Sequence, residues 1–169
     1  KQIARYKPKL LVLLDQSESP LYNLEQYLIS HFPSLKFDDV IGDIRNYNRL
    51  KRTFEFYKPS IVFHAAAYKH VPLMENNPSE AILTNVQGTK NLVDLSIDFD
   101  CEKFVMISTD KAVNPTNVMG ASKRIAEIYS QKKNSLNKTK FVTTRFGNVL
   151  GSNGSVIPLF KGKLKKVVH

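Results

Sequence analysis

"KFVMISTDKAVNPTNVMGASKR", residues 103–124, decides how the rest of the chain is read. Phe104 to Ile107 form an apolar run of strand length, and Ser108 and Thr109 end it. Charged Asp110 and Lys111 follow, and Pro115 and Asn117 mark a loop. From about Met119 to Gln131 the apolar residues return at helical spacing. A strand that ends in polar side chains and feeds a helix is half of a βαβ unit.

The flanking sequence repeats that alternation. "KLLVLLD" (9–15) is an apolar run ending in an acid, as a buried parallel strand would be. "SPLYNLEQYLISHF" (19–32) places Leu21, Leu24, Tyr27, Leu28 and Phe32 at helical spacing, with Ser19 as N-cap and Pro20 in the first turn. "LKFDDVIGD" (35–43) and "SIVFHAAA" (60–67) read as strands on either side of a helix, "YNRLKRTFEFYK" (47–58). A polar stretch, "YKHVPLMENNP", precedes a helix from about Ser79 to Ile97. "KFVTTRFG" (140–147) is the fifth strand. Together these elements predict an α/β fold: a doubly wound parallel sheet with helices on both faces.

Composition narrows the function classes. The 169 residues are 42% hydrophobic and 24% charged, and no apolar run is long enough to span a bilayer. Cys101 is the lone cysteine, which excludes an internal disulfide or a cysteine metal cluster and fits a reducing, cytoplasmic setting. No metal site is expected. Net charge is +10, a balance also found in nucleic-acid and membrane-surface binders. The charges are scattered along the sequence, apart from "KGKLKKVVH" at the end, and no nucleic-acid motif accompanies them.

In a sheet of this kind ligands bind beyond the carboxyl ends of the strands. The residues there are Asp15, Asp43, Ala65–Ala67, Thr109–Lys111 and Arg145–Asn148. Asp15 suits the ribose hydroxyls of NAD and would repel the extra phosphate of NADP; as a bland alternative it starts a turn. Asp43 and Ile44 are placed to hold an adenine edge, and Ala65, Ala66 and Ala67 would let a flat ligand approach the backbone. His64 is assigned no chemistry. Asp110 and Lys111 offer a proton donor and a base at one strand end, the pair that loss of water beside a carbonyl requires. The bland alternative is a solvated charge pair. No G-x-G-x-x-G precedes Asp15, and "KQIARYK" reads as the tail of the helix that such a loop would open.

"STDKA", "NPTNVMGASK" and "RFGNVLGSNGSVIPLF", with "VFHAAAYKHVPLME" and "TNVQGT" ahead of them, resemble the nucleoside-diphosphate-sugar 4,6-dehydratases of the extended short-chain dehydrogenase/reductase superfamily. The likeness is to the polysaccharide-biosynthesis branch that acts on UDP-N-acetylglucosamine. Within it, Met119 in place of the usual Tyr matches the larger, membrane-anchored members. The resemblance implies NAD as cofactor and a UDP-sugar as substrate. It implies that Thr109 orients the 4-hydroxyl, Asp110 protonates the leaving 6-hydroxyl, Lys111 takes the C5 proton and Lys123 holds the nicotinamide ribose. Asn85 would lie on the helix flanking the cofactor, and Lys69, Arg145 and Asn148 near the substrate. Residues 1–150 are expected to be a partial NAD-binding domain without its first strand and glycine loop, and 151–169 the start of a substrate-binding region. Pairing into homo-oligomers, and a membrane anchor elsewhere in the parent protein, are further expectations.

Overall fold

The computed structural model describes residues 1–136 and 138–147. The expectations for Asn148 and for residues 151–169 lie outside them. Strand β1 (Leu11–Asp15) pairs in parallel with β2 (Phe37–Ile41), Leu11 opposite Phe37 and Asp15 opposite Ile41. Strands β3 (Ile61–His64), β4 (Lys103–Thr109) and β5 (Lys140–Phe146) form a second parallel sheet with β4 in the middle. The parallel sheet is therefore present as a pair and a triple. Helix α1 (Glu18–His31) links β1 to β2, and α2 (Tyr47–Tyr57) leads on to β3.

The β3–β4 crossover departs from the sequence reading. Its polar beginning contains a short helix, α3 (Val71–Asn76), with Pro72 in the first turn, where a missing N–H breaks no helical bond. The single long helix expected over 79–97 is instead α4 (Pro78–Ala81), a π-helical stretch over Ile82–Gly88 and α5 (Thr89–Asp98). The π turn leaves no mark in the sequence spacing, since the buried residues Ala81, Thr84, Asn85, Gly88, Thr89 and Leu92 still recur at intervals of three and four. Helix α6 (Val118–Lys132) then crosses from β4 to β5, capped by the Asn117 side chain, which accepts from the Gly120 N–H at 2.8 Å. The segment expected to be a helix tail is a 3-10 turn, Ile3–Tyr6, stopped by Lys7 in the left-handed region.

One core joins both sheets. Phe104 and Met106 point from β4 into a cluster with Leu92, Val93 and Leu95 of α5, Ala126 of α6 and Phe141 of β5. Leu50 and Phe54 of α2 complete it, and Leu14 of β1 packs against it. A smaller cluster, Met74, Ala81 and Met119, fastens α6 to α3 and α4. Strand β4 thus sits at the centre of the packing, and its carboxyl end is anchored from both sides. Among the described residues no helix is long and apolar enough to cross a membrane.

Candidate active site

The site is built where β4 ends. Thr109 remains extended, and Asp110–Ala112 turn at once into a 3-10 helix. The Thr109 hydroxyl donates to Asp110 Oδ1 at 2.8 Å. That oxygen also accepts from the Lys111 N–H at 2.9 Å and from Lys111 Nζ at 3.2 Å. With the hydroxyl of Thr109 and then Lys111 as partners, the Asp110 carboxyl sits below the usual carboxylate range. Asp110 is exposed and Lys111 half-buried, so both are open to a ligand. A Cβ on Gly147, just past β5, would lie 3.4 Å from Asp110 Oδ2, which puts the "RFG" segment against the acid–base pair.

Helix α6 comes close to this turn because residue 120 is glycine. A Cβ there would run into the Lys111 carbonyl oxygen. The same helix carries Lys123 inward. Its Nζ donates to the Ile107 carbonyl of β4 at 2.9 Å, and only 6% of the residue is exposed. Burial pulls its pKa down to about 8, against the opposing pull of Glu127 one turn on. Met119 is 3% exposed and packs on Met74 and Ala81, so its thioether serves the core.

Glu127 is the residue that sequence reasoning missed. It is fully buried, accepts from Arg145 Nε at 2.8 Å and Nη2 at 2.6 Å, and takes a further bond from Arg124 at 3.2 Å. Burial alone would raise its pKa, but these donors hold it below the ordinary value. Arg145, expected near substrate, therefore has its guanidinium committed to an ion pair. The available signal was an acid four residues after Lys123 on the inward face of the helix.

The other expected residues fall into two groups. Asn85 is wholly buried in the π turn and acts as a clamp: its amide exchanges hydrogen bonds with the Tyr68 N–H and carbonyl, at 2.9 and 3.1 Å, and donates to Ser122 Oγ at 2.9 Å. Asp43 is held by Arg45 Nε at 2.7 Å, and Arg45 in turn pairs with Glu80 at 2.9 Å. Ile44 is buried under Gly88 rather than lying along a surface. His64 is buried against Thr89, and burial followed by the Lys123 charge lowers its pKa to about 3, so the ring is neutral. Asp15, Ala65, Ala66 and Lys69, by contrast, are exposed, with Ala67 half-buried. Asp15 accepts from the Ser17 N–H at 2.8 Å, leaving its other carboxylate oxygen without a bond among the described residues.

This set fits a dinucleotide. An exposed carboxylate ends β1, an alanine run without longer side chains ends β3, and a lysine reaches the backbone at the end of β4. Those features suit ribose hydroxyls, a flat ring and a second ribose in turn.

The family model described as "Polysaccharide biosynthesis protein" matches residues 1–168. The capsular polysaccharide biosynthesis protein CapD of Staphylococcus aureus is 50% identical over 167 residues, covering 98% of this chain and 28% of that protein. A UDP-glucose 4-epimerase of Rickettsia canadensis is 47% identical over 137 residues (79% of this chain, 39% of that protein). The inverting UDP-N-acetylglucosamine 4,6-dehydratase of Campylobacter jejuni is 37% identical over 162 residues (94% and 47%). Among solved structures, a dTDP-glucose 4,6-dehydratase of Streptomyces venezuelae with NAD bound shares the fold at a TM-score of 0.77 and 23% identity, over 98% of this chain and 56% of that one. The chain spans between about a quarter and a half of the length of these curated relatives. It belongs to the polysaccharide biosynthesis protein family, on the Rossmann-like fold of the extended short-chain dehydrogenases/reductases.

Proposed function

We propose that this chain carries the catalytic strand end of an NAD-dependent 4,6-dehydratase of a UDP-hexose, UDP-N-acetylglucosamine being the substrate it suits best. The product is a 4-keto-6-deoxy sugar for surface polysaccharide. The observation that carries the reading is the Asp110–Lys111 pair, 3.2 Å apart, with Thr109 holding the carboxylate. NAD, when bound, supplies reversible hydride exchange with the sugar.

The residues of the chain do the proton chemistry. Thr109 orients the 4-hydroxyl. Met119 cannot take that hydroxyl's proton, but Asp110 is ionised and is bonded to the Thr109 hydroxyl. Asp110 accepts the proton and, now neutral, returns it to the 6-hydroxyl as water leaves. Lys111, beside it, removes the C5 proton. Lys123 holds the nicotinamide ribose, and Asp15 with Ala65–Ala67 the adenosine half. Asp43, Ile44 and Asn85 shape this pocket from behind, and Lys69, Arg145 and Asn148 border the nucleotide-sugar.

The second reading is 4-epimerisation, supported by the Rickettsia relative. Epimerisation at C4 needs no acid and base for C5 and C6. Mass spectrometry of UDP-N-acetylglucosamine incubated with the full-length protein and NAD⁺ separates the two. Dehydration gives a product lighter by one water, and epimerisation an isomer of equal mass. Replacing Asp110 by Asn abolishes water loss with NAD affinity retained; unchanged turnover in that variant would sink the assignment of Asp110.

A further inference from the structure

In the sequence the excess of positive charge looks dispersed. The fold collects it. Every strand begins at or just after a lysine: Lys9, Lys36 and Lys58 stand in the residues leading into β1, β2 and β3, and Lys103 and Lys140 open β4 and β5. All strands within each sheet are parallel, and Arg45, just past the end of β2, pairs with Glu80 in the crossover that leaves the end of β3, so the carboxyl ends of both sheets lie on one side and these five lysines share the opposite, amino edge. All five are exposed, and none takes part in an ion pair among the described residues. Lys103 and Lys140 are direct partners in the β4–β5 register. Like charges facing each other across a ladder are unfavourable unless something outside the chain neutralises them. Lys7 and Lys138 extend the rim, while Asp100 and Glu102 are the acids on the turns that enter its strands.

Apolar side chains stand among these lysines. Tyr6 and Leu10 precede β1 and are 86% and 42% exposed, Phe56 in the last turn of α2 is 78% exposed, and Leu136 before β5 is 52% exposed. A nucleic acid would neutralise the lysines and stack on Tyr6 and Phe56, but it offers Leu10 and Leu136 nothing. The lysines also lack the fork that arginine uses to read phosphates and bases. An interfacial bilayer layer accommodates both groups: anionic headgroups for the ammonium ions, acyl boundary for the apolar tips.

We propose that the amino edge of the sheet docks on an anionic lipid surface, turning the carboxyl-edge site toward the aqueous side. This does not rest on which sugar reaction the site performs. The test is sedimentation of the 169-residue chain with vesicles of phosphatidylcholine containing roughly one quarter phosphatidylglycerol, against pure phosphatidylcholine, in about 0.1 M KCl. Binding is expected to the anionic vesicles alone. The variant K9Q/K103Q/K140Q should bind them roughly a hundredfold more weakly. K51Q/R52Q/K90Q removes the same charge elsewhere and should change binding by no more than about threefold. K7Q/K36Q/K138Q repeats the rim test on other residues, so that misfolding of one variant, seen by circular dichroism, does not decide the result. Three outcomes overturn the proposal: no preference for anionic vesicles, equal loss in rim and off-rim variants, or duplex DNA displacing the vesicles at equal or lower concentration.

Discussion

Glu127 holds Arg145 by both ends of its carboxylate, at 2.8 and 2.6 Å, from a position with no exposure to solvent. The pair joins the middle of α6 to the last residues of β5. Lys123, one turn earlier on α6, is anchored to β4 by the Ile107 carbonyl. The helix is thus pinned to two neighbouring strands by two polar ties, and the site between those strand ends inherits that rigidity.

Arg145→Ala should invert the acid dependence of stability. In the parent chain the Glu127 carboxyl sits below its ordinary value of about 4.3. A depressed carboxylate pKa stabilises the fold above that ordinary value and loses its contribution as pH falls through the folded one. Without Arg145, burial dominates and raises the pKa, leaving Arg124 as the remaining ion-pair partner among the described residues. The variant should be weaker at pH 7 and regain part of its loss on acidification toward pH 4. Urea midpoints across that range check the sign; parallel curves would remove the pair from the account.

Lys123 gives the opposite limb. Its folded pKa of about 8 lies below the unfolded value of about 10.4. The folded state therefore binds fewer protons between those values, and stability rises with pH across that window. Below about pH 8 the cost of burying the charge is fully present. Lys123→Met removes it, so melting at pH 7 should rise by a few degrees. The alkaline upturn should vanish, while NAD affinity falls. Thermal melts at pH 7 and pH 10 on both proteins measure this.

Much of this was legible in the sequence, and the failures have physical causes. The five strands and the Thr109–Lys111 cluster could be read because buried strands leave apolar runs and loops leave polar ends. The motif singles out Asn85, but its clamp on Tyr68 and Ser122 joins residues 17 and 37 positions away, which no local pattern records. Asp43 looked free for a ligand because its partner, Arg45, reads as an ordinary surface charge. The lysine rim was hidden because its members are spaced by whole βα units.

Two glycines should respond differently to alanine. At Gly120 the new methyl meets the backbone carbonyl of Lys111, which cannot move without opening the 3-10 turn. A loss of about 1–3 kcal/mol is expected, together with displacement of the acid–base pair. At Gly88 the methyl meets Ile44 Cδ1 at 2.5 Å, a side-chain end. Ile44→Ala removes the obstruction, so Gly88→Ala should cost less in that background than alone. A double-mutant cycle from urea melts tests this; strict additivity would mean that the two residues do not meet.

Met119 decides whether the unusual helix start is chemical or structural. The side chain is 3% exposed and fills the space between Met74 and Ala81. Met119→Leu conserves volume and apolarity, so it should cost under about 1.5 kcal/mol. With proton transfer assigned to Asp110, turnover in the full-length protein should stay within about threefold, since a few-tenths shift in barrier is all that repacking would introduce. Met119→Ala leaves a cavity and should destabilise by about 2–5 kcal/mol, yet hold its turnover per folded molecule. The informative measurement is turnover normalised to the folded fraction for both variants. A drop of a hundredfold or more in the leucine variant would return Met119 to the chemistry and require a new acceptor scheme for the 4-hydroxyl proton.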